Sequence, residues 1–178
     1  GLVFAQFRTE RHVRPAPCAW EECKWRVAGV DWGGGDPTAV VPLGITGRQH
    51  LHQYGELYQR GPVTIEEIAR YLIDLHRRAP LSFVVCDPSQ AVSIASLAAV
   101  CRPFFPVGPA TADPAGRNGW TATLLDNDRL TIGPECVGSI AEFASYRWRN
   151  RTDPNDRQRY ATSTPVDHHA DAMDSRGY

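Results

Sequence analysis

The segment LSFVVC, from Leu81 to Cys86, is the part of the sequence that most constrains the fold. It is short and almost entirely apolar, which is typical of a strand that is covered on both faces. Asp87 and Pro88 follow it directly, and a proline ends such a strand because it cannot donate to the ladder. A strand of this kind needs helices on both sides of its sheet, so the sequence predicts an α/β domain.

Three β-like segments precede this strand. KWRVAGVDW, residues 24–32, ends in the glycine-rich turn 33–37, and residues 38–46 and 50–59 follow as two further strands. Together they predict a three-stranded meander.

A helix separates the meander from the apolar strand. Thr64 and Glu67 have the spacing of a capping box, and apolar residues recur at helical spacing as far as about Arg78. The order strand, strand, strand, helix, strand predicts a mixed sheet with helices on both faces.

The second half of the chain continues the alternation less regularly. We predict helices over 90–100, 119–127 and 136–148, strands over 104–107 and 130–132, an exposed loop or hairpin over 150–164, and a terminal helix over 167–178.

Length and composition favour a single globular domain. The chain has 178 residues, of which 42% are hydrophobic, and it has no run of apolar residues long enough to cross a membrane. We expect an intracellular, soluble protein with a folded domain over residues 25–178. Residues 1–24 indicate an extended lead-in segment rather than a packed element, and a further segment can precede it. Five cysteines at irregular spacing indicate that most of them are buried thiols, and Cys18 and Cys23 lack the partners of a zinc site.

The net charge of -1 does not exclude nucleic acid, because the basic residues are unevenly distributed. Five arginines crowd one part of the chain, and we call them the arginine segment: Arg147, Arg149, Arg151, Arg157 and Arg159. Acidic residues that hold a metal ion lower the net charge without repelling DNA once the ion is bound. We therefore expect the arginine segment to bind the DNA backbone.

Two aspartates stand at the ends of predicted neighbouring strands. Asp31 follows the strand VAGV, and Asp87 follows the apolar strand. A carboxylate that leaves a buried strand is costly unless it is hydrogen-bonded, paired or metal-bound. Either residue alone could be a turn aspartate, but two on adjacent strands indicate a shared site.

The terminal segment HHADAMDSRGY offers two more carboxylates. Asp171 and Asp174 are three residues apart and so share one face of a helix. Four aspartates, Asp31, Asp87, Asp171 and Asp174, would form an oxygen-ligand cluster suited to Mg²⁺ or Mn²⁺. A pair of such ions hydrolyses phosphodiesters without a protein nucleophile, which agrees with the lack of a catalytic dyad in the sequence.

The sequence resembles the nuclease domain of the large terminase subunits of tailed bacteriophages. The resemblance lies in the order of VAGVDWGGGDPTAVV, TIEEIARYLIDL, FVVCDPS, RLTIGPECVGSIAEFASYRW and DHHADAMDSRGY. It implies an RNase H-like fold with a central mixed sheet of five or more strands, and it implies catalytic, metal-binding roles for Asp31 and Asp87. The last motif departs from the family pattern at Asp-Ser-Arg-Gly-Tyr, which leaves either Asp171 or Asp174 as the main third ligand.

The resemblance also implies an activity and partners. The activity is metal-dependent cleavage of concatemeric double-stranded viral DNA in the cytoplasm of an infected bacterium. The partners are a packaging ATPase domain, a portal and a small terminase subunit. The ATPase would lie outside this chain, which has no phosphate-binding motif of the Gly-x-x-x-x-Gly-Lys-Ser/Thr type.

Three other interpretations stay open at this point. A resolvase or transposase core would share the fold. An actin-like or sugar-kinase-like ATP-binding lobe would use GVDWGGGDPT as a phosphate-binding turn. A DNA clamp or packaging scaffold would keep the fold without the chemistry.

Overall fold

The computed structural model describes residues 1–33, 36–111, 113–146, 148–152 and 159–165. Seven strands in this part of the chain form one sheet: β1 (Trp25–Asp31), β2 (Thr38–Ile45), β3 (Leu51–Gln53), β4 (Leu57–Gln59), β5 (Phe83–Cys86), β6 (Val107–Pro109) and β7 (Leu130–Ile132). The helices are α1 (Thr9–His12), α2 (Ile65–Arg78), α3 (Ala91–Cys101), α4 (Pro114–Asp126) and α5 (Val137–Ser145).

The sheet is mixed, as the sequence predicts. Its strand order is β6-β5-β1-β2-β3-β7, and β4 also pairs with β2. Strand β2 is antiparallel to β1, β3 and β4, whereas β5 is parallel to β1 and β6 is parallel to β5. The carboxyl ends of β1, β5 and β6 therefore meet at one edge of the sheet.

Apolar residues cover both faces of the sheet. On one face Ala39 and Val41 belong to a core cluster that includes Leu125 of α4 and Phe143 of α5. On the other face Val40 belongs to a second cluster that also contains residues of α2 and α3. Successive residues of β2 thus enter opposite cores, which confirms a central sheet with helices on both faces.

Helix α2 begins where the sequence predicts it. The hydroxyl of Thr64 accepts a hydrogen bond from the amide of Glu67 at 3.1 Å, and the carboxylate of Glu67 accepts one from the amide of Thr64 at 2.8 Å. The helix ends at Arg78, and its buried residues Ile68, Leu72 and Leu75 face the second core.

The predicted strand over residues 50–59 is two short strands. The interruption contains Glu56, whose carboxylate accepts hydrogen bonds from the amides of Gly138 and Ser139 at 2.8 and 2.9 Å. Glu56 thereby caps the amino end of α5, and the carboxylate also complements the helix dipole there. The break in the strand places this carboxylate beside the helix.

Several predicted boundaries are shifted. Strand β6 begins at Val107 rather than at Phe104. Helix α4 begins at Pro114 because Asp113 caps it by accepting from the amide of Gly116 at 3.0 Å. Helix α5 ends at Ser145, and Trp148 already belongs to the next strand.

The lead-in segment does not match its prediction. Although residues 1–24 were expected to be extended rather than packed, the ring of Phe4 lies 5.2 Å from that of Phe143 in the first core. The side chain of Trp20 is only 1% exposed in the second core, where its indole donates to the carbonyl of Leu75 at 3.2 Å. The expectation of an unpacked segment is wrong because these aromatic side chains fill both cores.

The prediction that most of the five cysteines are buried thiols is confirmed. Each is a free thiol; four are buried, and Cys18 is half-buried. No helix in the described ranges has both the length and the apolar content needed to cross a membrane.

Buried His52 makes the stability of the fold depend on pH. Its side chain is 1% exposed, its Nδ1 lies 2.7 Å from the Thr131 hydroxyl, and burial lowers its pKa to about 4. An unfolded histidine has a pKa of about 6.5, so the unfolded chain binds the proton more tightly than the folded protein does. This contribution to stability is complete above that value and is lost as the pH falls toward about 4.

We expect the free energy of unfolding to fall by about 2 kcal/mol between about pH 7 and about pH 5 because of His52. Urea unfolding at both pH values measures this. His52→Gln is the control, because its free energy of unfolding should fall by about 2 kcal/mol less than that of the wild type over the same pH range. An identical loss in both proteins would contradict the assignment.

Candidate active site

Asp31 and Asp87 lie next to each other at one edge of the sheet. Asp31 is the last residue of β1, and Asp87 directly follows β5. The parallel register pairs Val30 with Cys86, and the amide of Asp87 donates to the carbonyl of Val30 at 2.9 Å. The prediction that the two aspartates end neighbouring strands is therefore confirmed.

The two carboxylates differ in their surroundings. Asp31 is 6% exposed and pairs with Ala39 of β2 on its other side. A carboxylate buried to this degree must be compensated by hydrogen-bond donors or a cation. Asp87 is half-buried and therefore reachable from solvent.

The carboxylate of Asp87 accepts two hydrogen bonds from Ser89. The Ser89 amide donates to Oδ1 at 3.2 Å, and the Ser89 hydroxyl donates to Oδ2. The indole of Trp32 donates to the main-chain carbonyl of Asp87 at 3.2 Å. Sequence reasoning missed these three contacts, although an aspartate followed two residues later by serine is a known turn pattern that accounts for those of Ser89.

Gly33 lies in the connection between Asp31 and β2. The amide of Gly33 donates to the hydroxyl of Thr38 at 3.1 Å. A Cβ atom on Gly33 would lie 2.1 Å from the carbonyl oxygen of Asp36 and 2.6 Å from the amide nitrogen of Thr38. Only glycine fits this position while the turn keeps its shape.

Strand β6 ends beside Asp87, where the amide of Ala110 donates to the carbonyl of Cys86 at 2.9 Å. The next carboxylate along the chain, Asp113, is engaged in capping α4. Asp113 therefore has a structural role at this edge of the sheet.

The donor atoms at this edge suit a hard divalent cation. Asp31, Asp87 and Ser89 supply only oxygen, which is the ligand type of Mg²⁺ and Mn²⁺. Among the residues that the structure describes, no group of three or more histidine, cysteine, aspartate or glutamate side chains could hold a metal ion. The other two predicted ligands, Asp171 and Asp174, lie outside the described residues.

The structure describes part of the arginine segment. Residues Trp148–Thr152 (β8) and Arg159–Pro165 (β9) form an antiparallel pair, which confirms the hairpin alternative of the prediction. Its register pairs Arg151 with Tyr160 and Thr152 with Arg159. Arg147 and Arg157 lie outside the described residues.

The fold is that of large terminase nuclease domains, which is RNase H-like. The nuclease domain of the bacteriophage SPP1 large terminase, determined with bound Mn, is 20% identical, with a TM-score of 0.70 over 98% of this chain and 94% of that domain. The large terminase of a thermophilic bacteriophage is 21% identical, with a TM-score of 0.78, and this chain spans 43% of its length. The bacteriophage HK97 large terminase is 12% identical, with a TM-score of 0.70, and this chain spans 42% of its length.

No protein-family model and no curated protein matches the sequence. The similarity to the solved structures is therefore a similarity of fold, and with the large terminase of the thermophilic bacteriophage it covers 99% of this chain.

The turn after Asp31 gives a test of the site's local structure. We expect Gly33→Ala to lower the free energy of unfolding by about 1–3 kcal/mol, because the new Cβ atom collides with main-chain atoms. Gly47→Ala is the matched control, since a Cβ atom there meets nothing within 4 Å and its cost should be below about 0.5 kcal/mol. Chemical unfolding of both variants measures the difference, and equal stabilities would show that the turn tolerates a side chain.

Proposed function

We propose that this chain is a nuclease domain of the large terminase type that hydrolyses phosphodiester bonds of double-stranded DNA. The observation that carries the proposal is the placement of Asp31 and Asp87 side by side at the ends of two paired strands. In sheets of this kind ligands bind where the strands end, so we expect the substrate to bind at this edge. The fold shared with the SPP1 nuclease domain supports the same assignment.

Asp31 and Asp87 would hold Mg²⁺ or Mn²⁺ together with Asp171 and Asp174. The bound Mn in the SPP1 nuclease domain supports a divalent ion of this class. Two such ions, when bound, supply an activated water and stabilise the leaving oxygen in phosphodiester hydrolysis. The protein's own contribution is to fix the carboxylates, the main chain of Asp87 being held by Val30 and Trp32.

The side chains near the two aspartates favour hydrolysis by water over a protein nucleophile. Burial raises the pKa of the Cys86 thiol to about 12, so it is protonated at neutral pH and a poor nucleophile. The Ser89 hydroxyl donates a hydrogen bond to the carboxylate of Asp87. Because we assign that carboxylate to the metal, it would not serve as the free general base that an activated nucleophile needs.

The wider assignment follows from the fold and the length of this chain. We propose that the substrate is concatemeric viral DNA and that cleavage takes place in the cytoplasm of an infected bacterium. Because this chain spans 43% of the large terminase of a thermophilic bacteriophage, the packaging ATPase would lie in another part of such a protein. A portal and a small terminase subunit would be the further partners.

The central test is cleavage of supercoiled plasmid by carboxylate variants. Asp31→Asn and Asp87→Asn should each lower the cleavage rate by at least about 100-fold, because each removes a negative ligand at nearly constant volume. Asp74→Asn, an exposed aspartate of α2, is the control and should cleave at the wild-type rate. Unaltered cleavage by either site variant would refute the assignment.

Metal dependence is measured in the same assay. Mn²⁺ or Mg²⁺ should support cleavage, whereas Ca²⁺ should not, because its larger and more variable coordination shell positions the water poorly. Full activity in EDTA would exclude a metal-dependent mechanism.

The arginine segment should bind the DNA backbone. If Arg149, Arg151 or Arg159 contacts one phosphate, its replacement by alanine should reduce the slope of log affinity against log salt by about one. Arg147 and Arg157 are tested in the same way. Arg77→Ala, on α2, is the control because Arg77 pairs with Asp74. Equal slopes and affinities in all variants would place the DNA path elsewhere.

A further inference from the structure

Ser89 holds the carboxylate of Asp87 at both oxygens. Its amide donates to Oδ1 at 3.2 Å and its hydroxyl donates to Oδ2. Ser89 is itself exposed and follows Pro88 in the connection between β5 and α3. A single residue therefore contacts both oxygens of this carboxylate.

The main chain of Asp87 is already fixed without Ser89. Its amide donates to Val30 and its carbonyl accepts from Trp32, while the preceding carbonyl, that of Cys86, accepts from Ala110. The remaining freedom of Asp87 is rotation of its side chain, and the terminal torsion of aspartate is broad when nothing restrains it. The two hydrogen bonds from Ser89 restrict this rotation.

We propose that Ser89 is a positioning residue that presents the carboxylate of Asp87 to a divalent cation, an inference that rests on the proposed function of this edge. An ionised carboxylate has about four lone-pair sites, so two remain after Ser89 has donated. Residues that hydrogen-bond to a metal ligand without touching the metal support its binding. Their removal typically lowers metal affinity or activity by about 10–100-fold.

The alternative role of Ser89 is purely structural, because the same contacts stabilise the turn before α3. The two roles differ in their dependence on metal. A structural role lowers the midpoint of thermal unfolding equally with and without Mn²⁺. A positioning role lowers the stabilisation that Mn²⁺ adds, since stabilisation by a ligand depends on its affinity for the folded state.

The test compares Ser89→Ala and Ser89→Thr with the wild type in two measurements. The first is the Mn²⁺ concentration that gives half the maximal rate of plasmid cleavage. The second is the rise in the midpoint of thermal unfolding at millimolar MnCl₂. Ser96→Ala is the control, because Ser96 is exposed on α3 and lies outside the contacts of Asp87.

We expect Ser89→Ala to raise the half-saturating Mn²⁺ concentration by about tenfold and to reduce the rise in the unfolding midpoint. Ser89→Thr keeps the hydroxyl and should stay close to the wild type in both measurements, as should Ser96→Ala. The inference is overturned if Ser89→Ala responds to Mn²⁺ as the wild type does while Asp87→Asn is inactive. If Asp87→Asn also behaves as the wild type, the proposed function itself fails.

Discussion

The parallel pairing of β1 with β5 determines where the candidate site lies. Its register joins Val30 to Cys86, and the amide of Asp87 completes it by donating to Val30. A shift of one residue in this register would reverse the faces of β5 relative to β1. It would also move Asp87 away from the end of β1. The adjacency of Asp31 and Asp87 therefore depends on this one pairing.

Packing against α2 and α3 maintains the register. Val30, Val84 and Cys86 are buried in the cluster that α2 and α3 cover, so a slip would expose apolar surface to water. The lead-in segment reinforces this cluster, because the indole of Trp20 is buried there and donates to a carbonyl near the end of α2. The amino-terminal residues thus stabilise the layer that holds β1 and β5 together.

The sequence predicted the features that depend on local pattern. The apolar strand before Asp87 and the capping box at Thr64 have a recognisable period or spacing, and both were placed correctly. It did not predict contacts between distant residues that no strand or helix pattern signals. Glu56 caps a helix 82 residues further along the chain, and Phe4 and Trp20 fill cores although their spacing follows no strand or helix period. Such contacts arise only when the fold brings the segments together.

The most direct measurement is the position of Mn²⁺ in crystals of this protein grown with duplex DNA, located by anomalous scattering. Substrate phosphates complete the coordination shell of such ions, so DNA belongs in the experiment. Our account predicts an anomalous peak within about 2.0–2.6 Å of carboxylate oxygens of both Asp31 and Asp87. Mn²⁺ bound only at other residues, with this edge of the sheet lacking a peak, would contradict it.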